Sequence, residues 1–195
     1  MIAQLTGRLL HHEPGYIILD VNGVGYQVQI SLSTYSSVKG KETLTLHTVL
    51  VVREDAHLLY GFASPDEKQM FQHLTSVNGV GPGTAIMVLS SLNPAQLREA
   101  IQSDDVRTLQ AVKGIGAKTA QRLILELKDK IGSNLQHGSA GNAGGNNLLR
   151  GEALSALTTL GINRAVAEKT IDAILKRSGN AISLEELVKL ALKTA

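Results

Sequence analysis

The chain has 195 residues, 43% of them hydrophobic, and 19 basic against 17 acidic side chains leave a formal net charge of +2. That length suits one or two domains with real cores, and so small a charge means that any nucleic-acid contact must rest on local placement and backbone donors. The absence of cysteine excludes a disulfide framework, a thiolate metal site and a cysteine nucleophile.

No stretch is basic enough to change that reading. Residues 1–63 hold 4 basic and 5 acidic side chains, residues 64–132 hold 8 and 7, and residues 133–195 hold 7 and 5. The opening Met1-Ile2-Ala3-Gln4-Leu5-Thr6-Gly7-Arg8 lacks a basic flank followed by an apolar core, so no signal peptide is expected. Apolar runs fall short of the ~20 residues needed to cross a bilayer, and a soluble cytoplasmic protein is expected.

Residues 1–63 read as β structure. Short runs rich in Val, Ile, Leu, Thr and Tyr cover Gln4 to Leu10, Tyr16 to Val21, Gly25 to Ile30, Thr43 to Val52 and His57 to Phe62. Pro14-Gly15, Asn22-Gly23 and Lys39-Gly40 separate several of them. Five strands in so short a span predict a small closed barrel of the OB type. Asn22-Gly23 lies between strand-like runs and predicts a β-hairpin turn. The last hairpin turns at Glu54 and Asp55, with no glycine or asparagine to ease a positive φ. Two readings of that turn stand open, a solvated acidic tip and a functional acid pair.

Residues 64–132 read as helical. Ser64-Pro65-Asp66-Glu67, Asn93-Pro94 and Ser103-Asp104-Asp105 supply N-caps. Within this block one device occurs twice. Asn78-Gly79-Val80-Gly81-Pro82-Gly83-Thr84-Ala85 aligns with Lys113-Gly114-Ile115-Gly116-Ala117-Lys118-Thr119-Ala120 at an offset of 35 residues. Each copy follows a helix-like segment, Asp66 to Val77 or Asp104 to Val112, and opens another helix. Two glycines make a tight turn, and the helix behind it aims unpaired N–H groups and its positive dipole end at the mouth. That is an anion site, with Lys118 and Arg122 as nearby cations.

The pattern resembles the helix-hairpin-helix motif, which grips a phosphate without reading bases. Asn22-Gly23-Val24-Gly25 repeats the tetrapeptide of Asn78 to Gly81, yet its strand context gives it no phosphate role. A dinucleotide fingerprint needs a preceding strand and a third glycine, which neither copy has. The string Gly-x-x-x-x-Gly-Lys-Ser/Thr of an ATPase loop is absent, so the chain is not expected to hydrolyse nucleotides.

Ser133 to Asn147 is rich in Gly, Asn and Ser and predicts a flexible tether, residues 133–148. Beyond it, residues 149–195 carry three helical patterns: Glu152 to Leu160 closed by Gly161, Arg164 to Lys176, and a third capped by Ser183-Leu184-Glu185-Glu186. A small tethered module of this kind predicts docking rather than catalysis.

Taken together the chain resembles the RuvA family, bacterial proteins that bind four-way (Holliday) DNA junctions for branch migration. The resemblance rests on Val51-Val52-Arg53-Glu54-Asp55-Ala56-His57-Leu58-Leu59-Tyr60-Gly61-Phe62, on both hairpins in order, and on the tethered C-terminal helices. It implies an OB-fold that assembles homotetramers (residues 1–63), a paired helix-hairpin-helix domain (64–132) and a C-terminal domain (149–195) that engages the hexameric RuvB ATPase. It implies Glu54 and Asp55, beside Arg53, as an acidic pin over the open junction. Gly79, Gly81, Gly83, Gly114, Gly116, Lys118, Thr119 and Arg122 match its DNA-binding positions. Leu157, Leu160, Ile162 and Leu192 match its motor-binding positions. Further implied partners are four-way junction DNA and the RuvC resolvase, with one or two tetramers per junction; no catalytic residue, cofactor or metal is implied. Relatives often carry Lys where Gly83 and Ala117 stand, which shifts weight onto backbone donors.

Two other classes compete. A metal nuclease or glycosylase of the helix-hairpin-helix kind needs converging carboxylates or a downstream aspartate, and only the adjacent Glu54 and Asp55, or Asp129, are available. A single-strand binder would stack bases on barrel aromatics, for which Tyr16, Tyr26, Tyr35, Tyr60 and Phe62 are candidates.

Overall fold

The computed structural model describes residues 1–138, 145–178 and 182–194, and the chain divides into two compact units, residues 1–132 and 133–195. In the first unit β1 (Gln4–Glu13), β2 (Tyr16–Val21), β3 (Val24–Ile30), β4 (Thr43–Val52) and β5 (His57–Phe62) close a barrel in the order β1-β2-β3-β5-β4. This is the OB-type barrel expected from the strand pattern. β1 serves two neighbours: residues Gln4–Arg8 pair with β4 and Arg8–Glu13 with β2, and a register shift between Leu9 and His11 bends it. The bend brings backbones close, since a Cβ on Gly7 would lie 2.3 Å from the carbonyl oxygen of Asp20. Ile17, Leu19, Val28, Ile30, Leu44, Leu46 and Leu59 fill the interior.

Asn22 and Gly23 take φ of 52° and 88°, a two-residue turn between the paired Val21 and Val24. The expected hairpin is there. One barrel element was not visible in the sequence: α1 (Leu32–Val38), between β3 and β4. After Leu32 its residues are weak helix formers, and what starts it is Ser31, whose hydroxyl accepts from the Thr34 amide at 3.0 Å.

Five further helices follow: α2 (Pro65–Thr75), α3 (Pro82–Ser91), α4 (Pro94–Gln102), α5 (Val106–Gln110) and α6 (Ala117–Gly138), the last running past the end of this unit. The caps follow the sequence. Ser64 accepts from the Glu67 amide, and Asn93 with Gln96 forms a reciprocal capping box ahead of Pro94. α5 is shorter than Asp104 to Val112, because Asp104 adopts φ 55° and Asp105 is the true cap, accepting from the Thr108 amide at 3.1 Å.

Barrel and helices share a core. On β5, Leu59 points into the barrel while Tyr60 and Phe62 point out, their rings 5.1 and 4.9 Å from that of Phe71 on α2. Beside them the Glu67 side chain is buried, only 3% exposed. Its carboxylate accepts from the Ser31 hydroxyl and, at 2.6 Å, from the Thr34 hydroxyl. Thr34 Oγ1 also accepts from the Ala63 amide at 3.0 Å, and the Leu32 amide donates to Ser90 Oγ on α3 at 3.0 Å.

The second unit packs α7 (Gly145–Thr159), α8 (Arg164–Ser178) and α9 (Leu184–Thr194) around Ala153, Leu154, Leu157, Ala167, Ile171, Leu187 and Ala191. Gly161, φ 90°, ends α7, and the Ile162 amide closes back on the Leu157 carbonyl at 3.0 Å. Residues 139–144, the middle of the expected 133–148 tether, lie outside the described residues. α6 reaches Gly138 on one side and α7 begins at Gly145 on the other. No helix among the described residues is long and apolar enough to cross a membrane.

The Glu67 cluster gives a stability prediction. Thr34→Val removes a donor from a buried carboxylate and the acceptor of the Ala63 amide. Leaving a buried polar group unsatisfied costs about 1–3 kcal/mol, so a loss near 2 kcal/mol is expected in urea unfolding of the first unit. Ser36→Ala on the exposed side of α1 is the control, expected within about 0.5 kcal/mol of the parent.

Candidate nucleic-acid interface

The two hairpins are built alike, bond for bond. After α2 the Val80 amide donates to the Val77 carbonyl at 3.1 Å, and after α5 the Ile115 amide donates to the Val112 carbonyl at 3.1 Å. Gly79 has φ 90° and Gly114 φ 91°. The next helix is started by the Ala85 amide on Gly81 and by the Ala120 amide on Gly116, each at 2.9 Å. Val77, Val80, Ala85, Val88 and Leu89 are buried, as are their counterparts Val112, Ile115, Ala120, Leu123 and Ile124. The expected duplication is therefore a duplication of structure.

Each mouth is open. A Cβ placed on Gly79, Gly81, Gly83 or Gly116 would meet nothing within 4 Å. The N-cap of α3, Gly81, offers no side-chain hydrogen bond, so the amides of its first turn are not capped from within. Those donors, together with the helix dipole, face whatever enters the mouth. The same tetrapeptide at Asn22 to Gly25 differs in backbone: there the asparagine also takes positive φ, whereas at the first hairpin only Gly79 does. Context sets the conformation of an identical string.

Charge is distributed unevenly between the copies. Lys113, Lys118 and Arg122 of the second repeat stand where Asn78, Gly83 and Met87 stand in the first. Lys113 and Lys118 are exposed, and Thr119 is half-buried at the start of α6. Arg122 is already engaged. Its Nη1 donates to the Asn78 carbonyl oxygen at 3.3 Å, and its Nε lies 3.8 Å from Glu126. Sequence reasoning placed Arg122 at its own hairpin; the structure places it against the other one. Applying the 35-residue offset to the outward positions of α3 and α6 would have paired it with Met87, which lies on Gly114.

Arg53, Glu54, Asp55 and Ala56 form the loop between β4 and β5, closed by the Arg53 amide on the Ala56 carbonyl at 2.8 Å beyond the pair Val52–His57. Arg53, Glu54 and Asp55 are exposed, and neither acid has positive φ. The strain expected of a two-residue turn is absent because the connection has four residues. Val52 at its base is 62% exposed. Burial raises the Tyr60 hydroxyl above its usual pKa, and the Arg53 guanidinium partly opposes that shift.

The remaining candidates separate cleanly. Tyr60 and Phe62 are buried against α2, and the ring of Tyr35 stacks on His12 at 6.0 Å, so the barrel aromatics do not form one exposed platform. Among the described residues no three His, Asp or Glu side chains are placed to hold a metal ion. In the second unit Leu157 is fully buried in the core and so supports it from within, and Ile162 is half-buried against the same core. Leu160 and Leu192 are 60% and 45% exposed and can present a docking surface.

Three family models match the chain in order: RuvA N terminal domain over residues 1–61, SAM-like helix-hairpin-helix tandem over 71–129, and RuvA, C-terminal domain over 148–195. Among similar proteins, the Holliday junction branch migration complex subunit RuvA of Cytophaga hutchinsonii is 52% identical, with 99% of each chain covered. Its namesakes from Amoebophilus asiaticus and Christiangramia forsetii are 48% and 47% identical, with 99% of this chain covered and 100% and 99% of theirs. With both hairpins, the barrel and the C-terminal helices in place, the chain belongs to the RuvA family.

Proposed function

We propose that the chain is a non-catalytic DNA-binding subunit that assembles as a homotetramer on four-way junction DNA, holds it open, and recruits the RuvB ATPase for branch migration in recombination and repair. ATP hydrolysis would reside in RuvB, and RuvC would join the same complex. The observation that carries this reading is the duplicated hairpin, whose open amides suit phosphates and whose geometry ignores base identity. The name its relatives bear, Holliday junction branch migration complex subunit, supports the choice of ligand. Anisotropy with a synthetic four-way junction and a duplex of the same sequence tests it, with native mass spectrometry for the tetramer. Equal affinity for the two DNAs would contradict the reading.

Backbone donors and few cations make a specific claim about salt. Each phosphate neutralised by a cation contributes a slope of about 0.9 in log K against log salt. Lys118→Ala should lower the slope by up to that amount and weaken junction and duplex alike. Gly83 is the equivalent position in the first repeat, and a side chain there meets open space. Gly83→Lys is therefore expected to tighten binding and to raise the slope by up to about 0.9.

The acidic loop is assigned a selective role. Around a tetramer axis, four copies of the Glu54–Asp55 pair would repel any phosphate near the centre, in a manner weakened by salt. A junction can splay its strands around such a cluster, whereas a continuous duplex must run its backbone closer. Replacing Glu54 by Gln and Asp55 by Asn should tighten duplex binding more than junction binding and narrow their ratio. A ratio unchanged at low and moderate salt, with the tetramer intact, returns the loop to a plain solvated tip.

The C-terminal unit, with Leu160 and Leu192 outward, is assigned to RuvB. A chain ending at residue 138 should keep junction binding and lose stimulation of the RuvB ATPase. Loss of junction binding in that truncation would show that the last unit is not a separate docking module.

A further inference from the structure

The two phosphate sites are tied to each other through equivalent residues. Met87 on α3 and Arg122 on α6 occupy matching positions of the 35-residue repeat. Arg122 reaches the first hairpin, where its Nη1 donates to the Asn78 carbonyl oxygen at 3.3 Å. Met87 reaches the second, where its methyl carbon lies 3.3 Å from where a Cβ on Gly114 would stand. Each repeat thus sends one side chain onto the turn of the other. Met87 is 38% exposed, so it lies on the surface and not in the common core.

We infer that Met87 and Arg122 form a reciprocal brace, and that both are positioning residues which hold the two hairpins at one fixed spacing for successive phosphate contacts. This rests on the proposed DNA-binding role for its purpose, but the brace itself is a property of the free protein. The chemistry at each end fits its target. The first hairpin ends its preceding turn on a carbonyl at Asn78, and a guanidinium satisfies that acceptor while cancelling its negative end, which would otherwise face an incoming phosphate. The second hairpin offers the bare Cα of Gly114, held at φ 91°, and a thioether fills such irregular space without demanding a polar partner. Glu126, four residues on from Arg122, lies 3.8 Å from its Nε and helps to aim the guanidinium across the gap.

A brace makes a prediction that a direct phosphate contact does not. If Arg122 only touched DNA, its removal would leave the unbound hairpins unchanged. The amides of Val80 and Ile115 are matched reporters, each bonded to the carbonyl three residues back at 3.1 Å. Hydrogen exchange in the full chain, without DNA, is expected to respond crosswise. Arg122→Met should speed exchange at Val80 about fivefold and leave Ile115 alone. Met87→Ala should speed Ile115 and leave Val80 alone. Lys118→Met, which removes an exposed cation beside the second hairpin and leaves both braces intact, should change neither.

With junction DNA present, Arg122→Met should weaken binding by about five- to tenfold, and Met87→Ala should weaken it by about two- to fivefold although it removes no charge. The Met87 result is the sharper, because a neutral side chain has no direct claim on a phosphate. Unchanged exchange at both reporters in both variants overturns the brace whatever the DNA does. Unchanged junction affinity for Met87→Ala overturns its positioning role. If the parent chain fails to bind junctions at all, the proposed function fails while the exchange measurement still decides the brace.

Discussion

The first unit depends on one buried carboxyl group. Glu67 sits in the opening turn of α2, where a carboxylate already favours the helix dipole, yet it is folded inward and not left in solvent. Burying so polar a group is costly unless it is hydrogen-bonded. Here the donors are hydroxyls of Ser31 and Thr34, which begin the barrel's own helix, and Thr34 also holds the Ala63 amide where β5 turns into α2. The hydroxyls rotate to meet the carboxyl oxygens, so the contact ties the start of α1 to α2. Tyr60, Phe62 and Phe71 supply the apolar area around it. The aromatic contact alone would tolerate sliding; the carboxylate does not, and so it fixes where the hairpins stand relative to the barrel loop that carries Glu54 and Asp55.

That fixed relation matters because net charge does so little. A chain with a formal charge of +2 cannot hold DNA by a broad basic field. What remains is placement: amides at two hairpin mouths, cations at a few positions, and an acid pair kept on a separate loop. Each would be weak if its position wandered. Phosphate contacts carry orientation and no sequence information, so an assembly that selects a branched structure must do so through the distances between such contacts. Geometry is then the specificity.

The elements that were legible in the sequence are those whose cause is local. Asn22-Gly23 specifies its turn through positive φ, Asn93-Pro94 its helix start, and the two Gly-x-Gly copies their turns and helices. The offset of 35 residues shows the repeat in the sequence alone. What escaped has causes distant in the chain. α1 starts on the local Ser31 cap, but Ser31 and Thr34 also meet Glu67, and nothing in Leu-Ser-Thr-Tyr-Ser-Ser-Val announces that partner. Tyr60 and Phe62 alternate properly as strand residues, but which face is covered is decided by α2. Leu157 read as a docking residue from its likeness to the family, and its complete burial follows from helices α8 and α9 packing against it. The Arg122 contact escaped because its target lies across the pseudo-repeat, 44 residues away.

The repeat is symmetric in backbone and asymmetric in charge, and the asymmetry gives the hairpins different properties. At three matched positions the second repeat has Lys113, Lys118 and Arg122 where the first has Asn78, Gly83 and Met87. The second hairpin combines amides with cations, and a phosphate bound there would release counterions, which salt opposes. The first hairpin has amides and a dipole, with a cation lent from α6 by Arg122. Backbone donors lose less to added salt, because they displace no counterion of their own. On the proposed DNA-binding reading the two hairpins would differ in role: the second would draw the polyanion in over distance, and the first would place a phosphate once it has arrived. Such a division works only if the spacing between them is held. That spacing is set by the side chains that cross from one repeat to the other and by the buried carboxylate that anchors both to the barrel.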